Sequence, residues 1–152
     1  MIVHIRCDLI ERMLKLATNK GGCFLINMET HKIALIYRKR LDDYSFPKGH
    51  IEEGESIKEC AIRETIEETM RNIELIEEEP IFINKYTTSH GEDVECYFYL
   101  AKDLGEYQGI IDDKDKEICE WYDVDDVINI LSYDDIKEMW IEVLPIIKKY
   151  LK

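Results

Sequence analysis

The chain has 152 residues and 45% hydrophobic composition, which suits one domain over 1–152 with a proper core and leaves two independent domains cramped. Its formal charge of −13 argues against a general nucleic-acid binder, because non-specific affinity for nucleic acid comes from neutralising phosphates with Lys and Arg. No apolar run approaches the roughly 20 residues of a membrane span, and the N-terminal residues lack the pattern of a secretory signal, so a cytoplasmic protein without membrane contact is expected.

In chain order, Asp8 with Glu11 has the form of a capping box, and predicts a short helix through about Leu16. Residues 22–27 and 32–37 read as two strands joined by a polar turn, with His31 a solvated turn residue. Residues 38–50 then cross irregularly to the next element; Pro47 and Gly49 suit a backbone approach to a ligand. Arg38, Arg40 and Lys48 supply local positive charge in an acidic chain.

Ser56 with Glu59 forms a second capping-box pattern, so a helix should start near Ile57. At roughly 100° per residue, Glu64, Glu67 and Glu68 then share about a third of the circumference. Ala61, Ile62, Thr65, Ile66, Thr69 and Met70 take the other side. Like charges at i,i+4, here Glu64 and Glu68, cost a few tenths of a kcal/mol unless something offsets them. A hard divalent cation suits oxygen ligands, with magnesium the default.

Residues 73–76 and 80–88 read as strands, and Val94, Cys96, Phe98 and Leu100 alternate with Glu95, Tyr97 and Tyr99 in the period-2 pattern of a half-buried strand. Tyr86, Tyr97 and Tyr99 are candidates to stack on a nucleobase. Residues 101–117 read as a long loop, 118–124 as a strand, 125–131 as a short helix and 134–151 as a helix that Pro145 kinks or interrupts. The five cysteines are odd in number, widely spaced and without a Cys-x-x-Cys pair, and read as reduced, mostly buried thiols.

The stretch from Gly49 to Glu68 resembles the Nudix box, G-x5-E-x7-R-E-U-x-E-E-x-G-U with U aliphatic, and matches it at Gly49, Glu55, Arg63, Glu64, Glu67 and Glu68. Met70 stands at the later Gly, Arg71 at the last aliphatic position and Thr65 at the earlier one. Because Met is poorly suited to the left-handed cap that Gly provides, the helix is expected to run on to about Asn72. The run Phe46-Pro47-Lys48-Gly49-His50 is similar to that of diadenosine tetraphosphate hydrolases, with related forms in RNA-cap-end and diphosphoinositol hydrolases.

The resemblance implies an α/β fold, an α/β/α sandwich around a mixed sheet, and a metal-dependent hydrolase of a nucleoside diphosphate linked to another group. It implies Mg2+ (or Mn2+) held by Glu64, Glu67, Glu68 and the carbonyl of Gly49. Glu117, upstream of Trp121, is the candidate ligand outside the box, with Asp115 and Glu120 behind it. Glu64 or a residue on a later loop would take the proton from water, Glu55 would support the cluster, and Arg63 would orient the carboxylates. Lys48, Arg38, Arg40, His50 and Tyr86 are the candidate contacts to a small phosphorylated substrate. Dinucleoside polyphosphates come first; ADP-ribose or nucleotide sugars, nucleoside triphosphates, 5′-triphosphorylated RNA ends and diphosphoinositols are alternatives. A nucleotide sensor of the same fold is a further alternative, although sensors of this type typically lose box glutamates and all four are present here.

Overall fold

The computed structural model describes residues 17–111 and 117–151. The helix expected at 8–16, Cys7 and Asp115 lie outside them.

Among the described residues, eight strands and two α-helices follow in order: β1 (Thr18–Asn27), β2 (Lys32–Arg38), β3 (Asp43–Ser45), β4 (Lys48–His50), α1 (Ile57–Thr69), β5 (Arg71–Leu75), β6 (Phe82–Thr87), β7 (Asp93–Glu106), β8 (Ile118–Asp123) and α2 (Asp134–Tyr150), with a 3-10 turn at Val127–Asn129 before α2. The sheet is mixed. β1 runs parallel to β7 from Thr18↔Val94 to Ile26↔Lys102, and every other pairing is antiparallel.

β1 pairs with β2 only at Ile26↔Ile33 and Asn27↔Lys32, and its first half pairs with β4 instead. The end of β2 pairs with β3. The sheet therefore splits between β3 and β4. Phe46 fixes the crossing between them: it is buried, edge-on to Phe24 at 4.9 Å and tilted against Trp140 at 5.4 Å. Aromatic pairs of this kind add about 1 kcal/mol each beyond their burial.

Alternation along β1 divides the core. Phe24 and Ile26 face α2, where Met139, Trp140, Val143 and Ile147 cover the sheet. Cys23 and Leu25 face α1 with Ala34, Ala61 and Ala101. A Cβ on Gly21 would sit 2.8 Å from the Ala61 nitrogen and the Ile57 oxygen, so only glycine lets α1 lie this close to β1. The result is the expected α/β/α arrangement.

Several local expectations change, among them the short helix read over 125–131, which is only the 3-10 turn at Val127–Asn129. Helix α1 ends at Thr69, not Asn72: Met70 caps it in the left-handed region, with φ 56° and ψ 33°. The strain, of order 1 kcal/mol, is offset by contacts from distant residues. Tyr107 donates its main-chain N–H to the Met70 oxygen at 3.0 Å, and Arg71 opens β5 with a bidentate bond to Asp103 at 2.8 and 2.9 Å. Residues 101–106 are strand rather than loop, because β7 continues alongside β5. The crossing segment holds β3 and β4, short strands given their register by β2 and β1. Helix α2 is not interrupted at Pro145; Val143 and Ile147 on either side stay buried against the sheet.

Among the described cysteines, Cys23, Cys60 and Cys96 are buried, Cys119 is half-buried and all are free thiols. Burial pushes the Cys23 and Cys96 thiols up to about 12, so they behave as apolar core groups.

Candidate functional site

The Ser56 hydroxyl accepts the Glu59 main-chain N–H at 3.1 Å, which starts α1 as the sequence predicts. That start turns one face of the helix toward the strand β4. Cys60, Ala61, Thr65 and Thr69 take the buried side, whereas Ile62 and Ile66 are only half-buried and do not join the core.

Arg63 is the centre of the exposed face. Its Nε and Nη2 donate to the Glu55 carboxylate at 2.6 and 3.0 Å, and Nη1 donates to Glu64 at 2.9 Å and to Glu67 at 3.1 Å. Nη2 also donates to the main-chain oxygen of His50 at 3.0 Å, tying α1 to β4. Glu55 in turn accepts the Glu52 main-chain N–H at 3.1 Å. The bidentate Arg63 contact holds the Glu55 carboxyl below its ordinary value, and it raises the Arg63 guanidinium further.

Glu64 and Glu68 behave differently. Burial is the largest influence on each and raises both carboxyls, Glu68 well above the ordinary value. Glu117 and Glu64 add repulsion at Glu68, while Lys48 opposes it. The Glu64 carboxylate packs against Gly49 so tightly that a Cβ at position 49 would overlap it. The Gly49 oxygen accepts a weak bond from the Cys60 thiol at 3.4 Å. Among the described residues, Arg63 is thus the one guanidinium paired with Glu55, Glu64 and Glu67, with Glu68 and Glu117 beyond.

The donor set fits a hard divalent cation: carboxylate and carbonyl oxygens, partly desolvated, with more negative charge than Arg63 offsets. Among the described residues, no three His, Cys, Asp or Glu side chains are grouped so as to hold a metal ion. Glu64 and Glu67 instead share Nη1 of Arg63.

The remaining predicted residues fall into two groups. Lys48, His50 and Tyr86 are brought together, Lys48 influencing both His50 and Tyr86. Burial and the nearby Lys20 lower the His50 imidazole. Arg38, by contrast, is engaged by Asp43 through Nε at 2.7 Å and through Nη2, although Glu117 also lies within its electrostatic reach. Arg40 stands in the exposed turn after β2. Glu120 accepts from the Tyr44 hydroxyl at 3.1 Å and from Tyr122. Tyr99 is 5% exposed and packs toward α1, which removes it as a base contact. Tyr97 donates to Glu95 at 2.9 Å.

Two features had no local signal. Lys20 donates to the Tyr86 hydroxyl at 3.2 Å. An open groove of about 490 Å³ also runs beside the cluster, lined by Ile62, Arg63, Ile66, Glu67, Tyr107 and Ile110. Its lining is largely apolar, from Ile62, Ile66 and Ile110.

Carboxylates gathered on one helix face, one arginine bracing them and a glycine backbone pressed to Glu64 are the parts of a Nudix box. The chain belongs to that family: the NUDIX domain model matches residues 19–144. It is 30% identical over 111 residues to the 8-oxo-(d)GTP phosphatase of Mycolicibacterium smegmatis, covering 72% of this chain and 33% of that protein. The chain thus spans about a third of the length of this curated relative. The fold is similar to that of a NUDIX-family hydrolase from Clostridium perfringens, with a TM-score of 0.68 and 21% identity over 87% of this chain and 99% of that one. An Ap4A hydrolase from C. elegans, solved as a binary complex, gives a TM-score of 0.71 and 19% identity over 88% of this chain and 99% of its own.

Proposed function

We propose that this chain is a divalent-metal-dependent hydrolase that splits a diphosphate bond in a nucleoside diphosphate linked to another group, with dinucleoside polyphosphates the first candidates. The observation that carries the reading is the Arg63-centred set of Glu55, Glu64 and Glu67, with Glu64 pressed on Gly49. All four box glutamates are present, which favours turnover over a sensor that only binds nucleotide.

Glu64, Glu67, Glu68 and the Gly49 oxygen would hold magnesium or manganese, with Glu117 the ligand from outside the box. The ion, when bound, polarises phosphate oxygens and lowers the pKa of bound water. Everything else falls to the protein. Glu64, held between Gly49 and Arg63, or a residue on a later loop would take the proton from the attacking water. Glu55 acts through Arg63, which sets the angles of the Glu64 and Glu67 carboxylates. Lys48 and His50 lie on the strand adjoining the cluster, where they would meet the phosphates. Phosphoryl transfer depends on such positioning and charge neutralisation more than on covalent chemistry.

The named relative supports a second reading within the same chemistry, hydrolysis of an oxidised or ordinary nucleoside triphosphate. Product analysis on a panel of dinucleoside polyphosphates, ADP-ribose, nucleoside triphosphates, 5′-triphosphorylated RNA and diphosphoinositols, with a chelator control, separates these. The proposed reading expects chelator-sensitive release from dinucleoside polyphosphates at the highest kcat/KM. Binding without release across the whole panel would leave the sensor reading instead. We further take the chain to act as one domain in the cytoplasm.

A further inference from the structure

Cys60 is, we propose, a positioning residue: its thiol ties the Gly49 main chain and the Arg63 guanidinium into one unit, and through them it sets the carboxylates of α1. The inference rests on the hydrolase reading above and adds to it a residue that touches neither substrate nor metal.

Helix α1 meets β4 at a pair of glycines. Gly21 and Gly49 face each other across the β1–β4 ladder, and a Cβ on either would collide with α1. From Gly21 it would lie 2.8 Å from the Ala61 nitrogen and the Ile57 oxygen; from Gly49 it would overlap the Glu64 carboxyl. The missing side chains leave a corner between strand and helix. Cys60 fills it, fully buried and one turn before Glu64 on the same helix face. Its thiol donates to the Gly49 oxygen at 3.4 Å, so two side chains of α1 hold the Gly49 peptide between them.

The same sulfur meets the cation that braces the glutamates. Nη2 of Arg63 donates to Glu55 and to the His50 oxygen, both at 3.0 Å, and lies 4.0 Å from the Cys60 Sγ. The oxygens of two consecutive β4 residues are therefore engaged by two residues three positions apart on α1. One such contact would leave the strand free to rotate against the helix. Two fix it.

A thiol suits this corner. As a weak donor it orients the Gly49 carbonyl without neutralising its partial charge. Its volume also excludes water from a spot where the Gly49 and His50 oxygens and the Arg63 guanidinium would each bond one. Alanine would open that space and loosen the join. Cys23 supplies the comparison: it is equally buried against α1, but its thiol donates at 3.6 Å to the Ala61 oxygen, within the helix backbone rather than on β4.

Gly49-His50 is the one Gly-His step in the chain, so isotope labelling of glycine carbonyl carbons and histidine nitrogens isolates the Gly49 carbonyl as a single NMR signal. In the metal-free protein this signal should move in Cys60→Ala, return most of the way in Cys60→Ser, which keeps a donor, and stay in place in Cys23→Ala. Calorimetric Mn2+ affinity should fall about tenfold in Cys60→Ala, the usual cost of losing a group that orients ligands from behind. It should recover in Cys60→Ser and match the wild type in Cys23→Ala. On a dinucleoside tetraphosphate, Cys60→Ala should lose kcat while KM stays near the wild-type value.

An unmoved carbonyl signal in Cys60→Ala, an equal shift in Cys23→Ala, or wild-type Mn2+ affinity in Cys60→Ala would overturn the proposal. Should the wild type neither bind Mn2+ nor hydrolyse the compound, the hydrolase reading fails by itself. The carbonyl signal then decides the role of Cys60: a shift in Cys60→Ala but not in Cys23→Ala supports it, and any other pattern refutes it.

Discussion

Glu64 lies against the main chain of Gly49, its carboxyl filling the space a Cβ at position 49 would need. Gly49→Ala therefore forces Glu64 or the β4 backbone to move. Because a misplacement near 1 Å can cost about a hundredfold in rate, kcat should fall by at least that much. Circular dichroism should still report a folded protein. Near-normal turnover in Gly49→Ala would show that the contact positions nothing.

Arg63 holds charged partners on several sides, and Glu55 is only 12% exposed. Arg63→Ala leaves a largely buried carboxylate without its cation and should cost about 3 kcal/mol of stability in denaturant unfolding. Arg63→Lys keeps the charge but loses the bidentate geometry, so stability should recover further than activity.

The carboxyls give a pH dependence of definite sign. Glu64 and Glu68 are raised in the fold, so the folded state holds their protons more tightly than the unfolded chain does. Their contribution falls as pH rises above 4.5, the ordinary glutamate value. Glu55 is lowered, so its contribution is present above that value and lost as pH falls below it. Thermal melts without divalent cation should show Tm declining as pH rises above 4.5, and magnesium should raise Tm more at high pH than at low pH. Equal magnesium stabilisation at both pH values would argue against Glu64 and Glu68 as ligands.

Met70 stores backbone strain that glycine would not feel, since its φ is 56°. Met70→Gly should therefore stabilise the protein by about 1 kcal/mol, or roughly 2–4 °C in Tm for a chain of this size. A loss of stability would mean that the Met70 side chain contributes more than its 42% exposure implies.

The same residue marks where sequence reading stopped. The start of α1 is a local event, a Ser56 hydroxyl on the Glu59 N–H, and local events are written in neighbouring residues. The end is not local: Tyr107 and Asp103, more than thirty positions away, hold Met70 and Arg71 in place. Residues 101–106 looked like loop because their charges hide the period, yet Asp103 and Lys102 are paired with Arg71 and Glu74 on β5. The carboxylate face followed from helix spacing alone. Lys20 did not, because a lysine near the start of a strand means little until the sheet brings Tyr86 and His50 beside it.

In the proposed reaction these glutamates hold a hard cation against a diphosphate bridge that water then splits. The decisive measurement is steady-state hydrolysis of a dinucleoside tetraphosphate by wild type and Glu67→Gln, each with and without magnesium. The wild type should turn over only with magnesium, and Glu67→Gln should be slower by orders of magnitude while giving the same circular dichroism spectrum. Metal-independent cleavage by the wild type, or magnesium-dependent turnover in Glu67→Gln close to the wild-type rate, would rule this reaction out.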